Sequence, residues 1–191
     1  SFFTPVSNWA LQSAVFRDVL DEHLGIDRRR TIPSLANQTF VQWFRTRRQN
    51  PLVNKPTGQV ILFPDTFTNY NHPNLGIAAT KVIEAMGYEV ILPSVLCCGR
   101  PMLAKGMMDK ARANAQINVN RLYNYVRNGA WLVGLEPSCI PSFKDDYLDL
   151  LGNDPKAKEI SVNTMLIEEF VQNEQQSQNQ LRHILQKHLY K

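Results

Sequence analysis

The sequence lacks the long apolar run that a membrane-spanning helix requires. No stretch approaches the roughly 18 consecutive apolar residues that such a helix needs. The longest compact apolar run, residues 130–135, has the length of a strand. The N-terminus also lacks the basic, apolar and small-residue regions of a secretory signal peptide. These absences exclude integral membrane proteins and favour the cytoplasm.

Cysteine is scarce, with 3 residues in a chain of 191. Three cysteines cannot form a complete set of intrachain disulfides, so a disulfide-stapled secreted fold is excluded and a reducing compartment is favoured. The 9 glycines, 11 prolines and 20% charged residues are close to globular averages, which excludes collagen-like, low-complexity and wholly disordered chains. A chain of this length buries about 70% of its unfolded surface, so we expect a substantial core.

Positive charge is modest overall but unevenly distributed. The formal net charge is +4, and arginines cluster at residues 28–30 and 45–48. No helix-turn-helix, RNA-recognition or zinc-finger pattern accompanies them, and no aromatic residues are interleaved as stacking platforms. We therefore interpret the arginines as a solvated face, or as a surface that docks on an acidic neighbouring domain, and predict no nucleic-acid partner.

The chain divides into two parts by composition. Residues 1–55 read as a helical extension and linker, in which Ser7 or Asn8 is the expected N-cap of one amphipathic helix that stops at Gly25. A short helix around Phe40 and Phe44 follows, and the Pro and Gly of residues 51–58 indicate a linker. Residues 56–191 form the main domain. The missing initiator methionine and the helical pattern at the C-terminus lead us to expect a piece of a longer chain.

The main domain alternates short apolar runs with helical periodicity. Residues 60–63, 89–92 and 131–135 are too short for helices and are typical of buried parallel strands. Apolar residues at three-and-four spacing lie between them, and a fourth strand is expected around residues 160–162. This order predicts an α/β fold with an open, mainly parallel sheet and helices on both faces, as in Rossmann-like proteins, preceded by the helical extension. From residue 166 the tail is helical.

All three cysteines follow predicted strands. Cys97 and Cys98 follow the second strand, and Cys139 follows the third. Since ligands bind beyond the carboxyl ends of parallel strands, we expect these thiols to gather at one edge of the sheet. Gathered thiolates suit soft metals and iron-sulfur clusters. Three alternatives remain: buried structural cysteines, a zinc site completed by His72, and a redox disulfide between Cys98 and Cys139.

Five short runs carry a resemblance to a known family. They are NYNHP at 69–73, CCGRP at 97–101, KGM at 105–107, EPSC at 136–139 and DDY at 145–147. Together they resemble the cysteine-rich "CCG" domain of iron-sulfur oxidoreductases, a family that includes a subunit of heterodisulfide reductase, the glycolate oxidase iron-sulfur subunit and the membrane-anchoring subunit of anaerobic glycerol-3-phosphate dehydrogenase. The likeness is strongest to the C-terminal part of fused FAD-linked D-2-hydroxyacid dehydrogenases, of the D-lactate or D-2-hydroxyglutarate type.

The resemblance implies an iron-sulfur electron-transfer domain of an FAD-linked D-2-hydroxyacid oxidoreductase. It implies a 4Fe-4S cluster here, FAD in a preceding domain, and two partners in the same chain: an upstream flavin domain and a downstream second CCG domain. It also implies a cytoplasmic protein, at most peripheral to the inner membrane. The electron acceptor is not implied. We expect no catalytic residue in this segment, because no Ser-His-Asp, phosphate-loop or GxGxxG pattern is present.

The sequence departs from the family pattern at two positions. Thr66 and Glu136 stand where the family carries cysteines. The isolated chain is therefore expected to hold an incomplete ligand set, and a docking module without a cluster is the alternative function. The predicted metal ligands are Cys97, Cys98 and Cys139. The predicted cofactor-binding residues are Thr66, His72, Gly99, Arg100 and Glu136.

Overall fold

The protein is described by a computed structural model that covers residues 4–47 and 56–177. Its residues form two compact units. The first unit comprises Ser1–Gln49 and Thr66–Ala78, and the second comprises Asn50–Asp65 and Ala79–Lys191. The predicted domain boundary at residue 55 lies outside the described residues, as do the distal tail beyond residue 177 and most of the predicted linker.

The first unit is helical. It contains α1 (Thr4–Gln12), α2 (Ala14–Leu24), α3 (Phe40–Thr46), α4 (Thr66–Tyr70) and the start of α5 (Pro73–Ala85). The single helix predicted before Gly25 is wrong, because Ser13 separates α1 from α2 and its hydroxyl accepts the Phe16 N–H as the cap of α2. The predicted cap Asn8 instead lies inside α1, where its amide bonds the backbone of Leu35. The predicted stop at Gly25 is confirmed by its left-handed φ of 65°.

Backbone polar groups join the helices of the first unit. The Ala36 N–H donates to the Tyr70 carbonyl at 2.7 Å, and the Val41 N–H donates to Asn69 Oδ1 at 3.0 Å. A capping box formed by Thr39 and Gln42 opens α3. The short helix predicted around Phe40 and Phe44 is therefore confirmed.

The second unit contains the sheet. Its strands are β1 (Gly58–Phe63), β2 (Tyr88–Ile91), β3 (Trp131–Gly134) and β4 (Thr164–Leu166), all parallel, in the order β2-β1-β3-β4. Three of them coincide with the predicted strands to within two residues. The α/β fold class with an open parallel sheet is confirmed.

Helices connect and follow these strands. They are α6 (Arg100–Ala104), α7 (Met108–Arg127), α8 (Cys139–Pro141), a π-helical turn (Ser142–Asp146), α9 (Tyr147–Leu150) and α10 (Pro155–Val162). Residues 167–177 form a further helix, α11, so the tail predicted to be helical from residue 166 is helical from residue 167 to the end of the described residues.

The fourth strand lies later than predicted. Residues 160–162 belong to α10, and β4 begins at Thr164. The Asp154 carboxylate accepts the N–H groups of Lys156 and Ala157, and Pro155 occupies the first helical turn. This N-terminal cap starts a helix that continues through residues 160–162, although Ile160 and Val162 are β-branched.

The sheet buries both of its faces. Ile61, Phe63 and Leu132 belong to the main apolar cluster, together with residues of α7 and α10. Because side chains alternate along a strand, Val60 and Leu62 point to the opposite face and are also fully buried. On β2, Tyr88 packs edge-on against Phe170 of α11, with ring centroids 5.2 Å apart.

Within the described ranges, no helix is long and apolar enough to cross a membrane.

Candidate functional site

The strand order places two connecting segments at the carboxyl end of the sheet. From β1 the chain passes to β2 on one side, and from β2 it crosses back to β3 on the other. The ends of β1 and β3 therefore form a topological switch point, where open α/β sheets bind ligands. The segment after β2 carries Cys97 and Cys98, and the segment after β3 carries Cys139.

Two of the cysteines meet in the interior of this edge. Cys98 Sγ lies 3.2 Å from Cys139 Sγ, and both residues are buried as free thiols. They are 41 positions apart in the sequence. Gly134 leaves room for the side chain of Ile140, the residue after Cys139, because a Cβ at position 134 would overlap it. The structure thus brings together the predicted ligands of two different loops.

Cys97 lies at the surface next to this pair. Its side chain is exposed, and its sulfur accepts a hydrogen bond from the backbone N–H of Gly99. The next N–H, that of Arg100, donates to the sulfur of Cys98. Gly99 has a φ of 93°, which is a left-handed conformation. This conformation directs the N–H groups of Gly99 and Arg100 toward the cysteine sulfur atoms. A residue with a side chain would be strained in it.

The pKa values of the two buried thiols are shifted in opposite directions. The hydrogen bond from the Cys139 thiol lowers the pKa of Cys98 to about 6, and the N–H of Arg100 adds to this effect. Donating that bond, together with burial, raises the pKa of Cys139 well above its ordinary range. Burial also raises the pKa of Cys97. The arrangement stabilises one thiolate, on Cys98, beside two protonated thiols.

The predicted residues Arg100 and Glu136 take up defined contacts at this edge. The guanidinium of Arg100 pairs with the Asp146 carboxylate at 2.6 Å. Glu136 Oε1 accepts the N–H and the hydroxyl of Ser138, at 3.2 Å and 2.9 Å, while the Glu136 carbonyl accepts the Cys139 N–H at 3.0 Å. Glu136 therefore shapes the turn into α8.

Thr66 and His72 belong to the first unit. Thr66 is the exposed first residue of α4, and His72 is the exposed residue before Pro73, which opens α5. The His72 carbonyl accepts the Leu75 N–H in that first turn. Their assignment as cofactor-binding residues stays a prediction.

Three further residues at the site had no predicted role. Asn118 of α7 is fully buried and hydrogen-bonds the loop before Cys97. Tyr147 of α9 accepts a hydrogen bond from Asn118, and the fully buried Ser142 faces Cys98. A sequence signal existed for Asn118, since it interrupts the apolar stripe of α7 with a polar residue.

The potential metal-binding side chains suit one kind of metal site and not another. Nowhere in residues 4–47 and 56–177 do three His, Cys, Asp or Glu side chains form a group suited to a single metal ion. The three thiols and their N–H donors instead have the composition of part of an iron-sulfur ligand set, in which cysteine thiolates bind iron and hydrogen bonds to sulfur tune the potential.

Comparison with known proteins identifies this arrangement. The family model of the cysteine-rich CCG domain matches residues 64–144, which include both cysteine segments. The similarity to the CCG domain is thus located in residues 64–144. The matched residues contain the two cysteine-bearing loops that meet at the switch point. No solved structure matches the chain.

This chain is similar to curated proteins that are named as dehydrogenases or as a lactate utilization protein. It is 37% identical to a subunit of the anaerobic glycerol-3-phosphate dehydrogenase of Escherichia coli (strain K12) over 156 residues, 81% of this chain and 39% of the relative. It is 27% identical to lactate utilization protein A of Bacillus subtilis (strain 168) over 60% of this chain and 48% of the relative. It is 24% identical to D-2-hydroxyglutarate dehydrogenase of Pantoea ananatis (strain AJ13355) over 49% of this chain and 9% of the relative. The matches span less than half of each relative.

Proposed function

We propose that this CCG domain transfers electrons within an oxidoreductase through an iron-sulfur centre. Cys97, Cys98 and Cys139 would ligate a 4Fe-4S-type cluster at the carboxyl edge of the sheet. The observation that carries the proposal is the approach of Cys98 and Cys139, from loops after different strands, to 3.2 Å. A buried thiol pair with N–H groups directed at sulfur suits a thiolate ligand set better than a structural core.

The residues around the thiols have defined tasks in this proposal. Thiolate ligation requires deprotonation, and the lowered pKa of Cys98 favours it at neutral pH. The N–H groups of Gly99 and Arg100 bond to sulfur and stabilise negative charge there. The partly exposed guanidinium of Arg100 adds a positive charge at the same edge. The cluster, when bound, would supply one-electron transfer.

The ligand set requires a contribution from outside these three thiols. A cubane cluster takes four cysteine ligands, and Thr66 and Glu136 stand where the family pattern has two more. We propose that a downstream second CCG domain, which belongs to the longer protein, supplies the remaining ligand. Glu136 and His72 are the alternative donors within this chain.

The proposed substrate is a D-2-hydroxyacid. Lactate and 2-hydroxyglutarate appear in the names of two relatives, and glycerol 3-phosphate in that of a third. All three compounds carry a secondary alcohol on a molecule with an acidic group. Oxidation to the ketone releases two electrons and two protons. An upstream FAD domain would accept the hydride, and the cluster would pass its electrons singly to an acceptor.

A second candidate function is a docking module without a cluster. It is favoured by Thr66 and Glu136 and by the lack of a three-donor group for a single ion among the described side chains. In that case the thiols are remnants, and the domain positions the flavin domain against its partners in the cytoplasm.

Anaerobic reconstitution with iron and sulfide separates the two functions. We expect the chain, and the longer protein, to gain broad visible absorbance and about four iron atoms per cluster. Cys98→Ser and Cys139→Ser should abolish the colour, whereas Ser138→Ala, which removes a hydroxyl bonded to Glu136 and leaves all three thiols in place, should retain it. Colourless longer protein would contradict the electron-transfer proposal and support docking.

A further inference from the structure

Asn118 is a buried polar residue in an otherwise apolar stripe. It lies on α7 with the buried residues Ala111, Ala115, Val119 and Leu122, and none of its surface is exposed. A buried amide without partners would be strongly destabilising, so its hydrogen bonds indicate why it is there.

Those hydrogen bonds hold the loop that leads to the first two cysteines. Asn118 Oδ1 accepts the Leu96 N–H at 2.7 Å, and Asn118 Nδ2 donates to the Leu96 carbonyl at 3.1 Å and the Cys97 carbonyl at 3.3 Å. Residues 92–98 have no secondary structure of their own. Their backbone groups therefore depend on such partners, and the donor at Leu96 fixes the orientation of the amide.

The same amide also reaches the segment that bears Cys139. Asn118 Nδ2 donates to the Tyr147 hydroxyl at 2.9 Å. The Tyr147 ring packs against Phe143, with centroids 4.7 Å apart, and Phe143 packs against Phe63 at the end of β1, with centroids 5.0 Å apart. One buried side chain thus links the Cys97–Cys98 loop to the helical segment that follows Cys139.

Other polar residues of α7 contact this loop from exposed positions. Asn114, one turn before Asn118, donates to the Cys97 carbonyl at 3.3 Å, and Arg121 donates to the Ser94 carbonyl at 3.1 Å. Neither is buried, and neither has a hydrogen bond to Tyr147 among those of the described residues. Asn114 is therefore a matched control: the same residue type, on the same helix, at the same loop.

We propose that Asn118 and Tyr147 are positioning residues that hold the two cysteine-bearing segments in register, and thereby set the spacing between Cys98 and Cys139. The consequence for electron transfer rests on the proposed function. The effect on the spacing does not, because it concerns only the thiols and the side chains that hold the segments.

A trivalent arsenical tests the spacing in the metal-free, reduced protein. Phenylarsonous acid forms two As–S bonds with a close thiol pair and releases two water molecules, with no change of oxidation state. In a Cys97→Ser background we expect one equivalent to bind across Cys98 and Cys139. Asn118→Ala and Tyr147→Phe should weaken its binding about tenfold, because a loosened pair must be ordered before it binds. Asn114→Ala should bind as the background does.

Two precautions keep this experiment decisive. If Asn118→Ala does not fold, Asn118→Asp, which keeps an oxygen for the Leu96 N–H but loses the amide donor, takes its place. Tyr147→Phe keeps the ring and removes only the hydroxyl. Unchanged arsenical affinity in Tyr147→Phe together with Asn118→Ala or Asn118→Asp would overturn the proposal, as would an equal loss in Asn114→Ala.

The reconstituted protein gives a second readout. We expect the reduction potential and the electron paramagnetic resonance spectrum of the cluster to change in Asn118→Ala and Tyr147→Phe and to stay constant in Asn114→Ala. If neither the unmodified protein nor any variant takes up iron and sulfide, the electron-transfer proposal fails. The arsenical experiment then still decides whether Asn118 and Tyr147 position the thiols. Unchanged potential and spectrum in a loaded Tyr147→Phe would count against the proposal.

Discussion

Arg100 and Asp146 form a 2.6 Å ion pair that joins the helix after Cys98 to the π-helical turn after Cys139. The side chains are 44% and 24% exposed, so solvent screens the pair. It therefore contributes little to global stability, although, like Asn118, it connects the Cys97–Cys98 side of the site to the segment that follows Cys139.

Asp146→Asn should lower the free energy of unfolding by about 0.5–1 kcal/mol, because it removes one charge of a partly exposed pair. The measurement is the urea midpoint at low salt and at high salt, where the difference should shrink. Asp109→Asn, in the pair of the fully exposed Asp109 with Arg112, should change nothing measurable. A loss of several kilocalories would mean that the Arg100 pair is effectively buried.

Gly134→Ala should destabilise the protein by about 1–3 kcal/mol, because the new methyl group overlaps the Ile140 side chain. Thermal or urea unfolding measures this loss. Ile140→Val removes the Cδ1 atom that lies nearest, so the double variant Gly134→Ala/Ile140→Val should recover part of the stability. Equal losses in the single and double variants would show that the overlap is not the cause.

Alkylation of Cys98 in the metal-free protein should show a pH midpoint near 6, since its pKa is lowered to about 6. A lowered pKa means that the reactive thiolate predominates above that pH and disappears as the pH falls through it. Peptide mapping after iodoacetamide pulses follows each cysteine separately. Cys139→Ala removes the thiol donor and should move the midpoint upward. Cys139→Ser keeps a donor and should move it less.

Asp154→Ala should cost about 1 kcal/mol, because it removes the acceptor for two N–H groups at the start of α10. The urea midpoint measures the change. Asp154→Asn keeps a capping oxygen and should be nearly neutral. Were both variants equally destabilised, the charge rather than the cap would hold this helix start.

The sequence predicted the elements whose signals are local. The runs around Val60 and Leu132 are apolar and short, and both are strands that lie buried in the sheet. Since parallel strands end at one edge, the convergence of the Cys98 and Cys139 loops followed from the strand predictions alone.

The wrong secondary-structure predictions lie where a single helix-capping residue overrides the periodicity of the surrounding sequence. Ser13 divides a run whose apolar spacing continues on both sides, because a hydroxyl cap outweighs periodicity at that point. Asp154 and Pro155 start a helix that includes residues 160–162, and the fourth strand begins only at Thr164. Asn118 stands out as a polar residue in the apolar stripe of α7, but its partners Leu96 and Tyr147 are distant in sequence, so no local pattern reveals its role.

The long separation of Cys98 from Cys139 affects the order of events during synthesis. β3 lies between the two cysteines in the sequence and must join β1 before their sulfur atoms can approach. A nascent chain that has not yet emerged beyond Cys139 therefore carries Cys97 and Cys98 as unpartnered thiols. The three sulfur atoms of the proposed centre can therefore come together only after β3 has joined the sheet, and a chain truncated before β3 would hold two of the three cysteines.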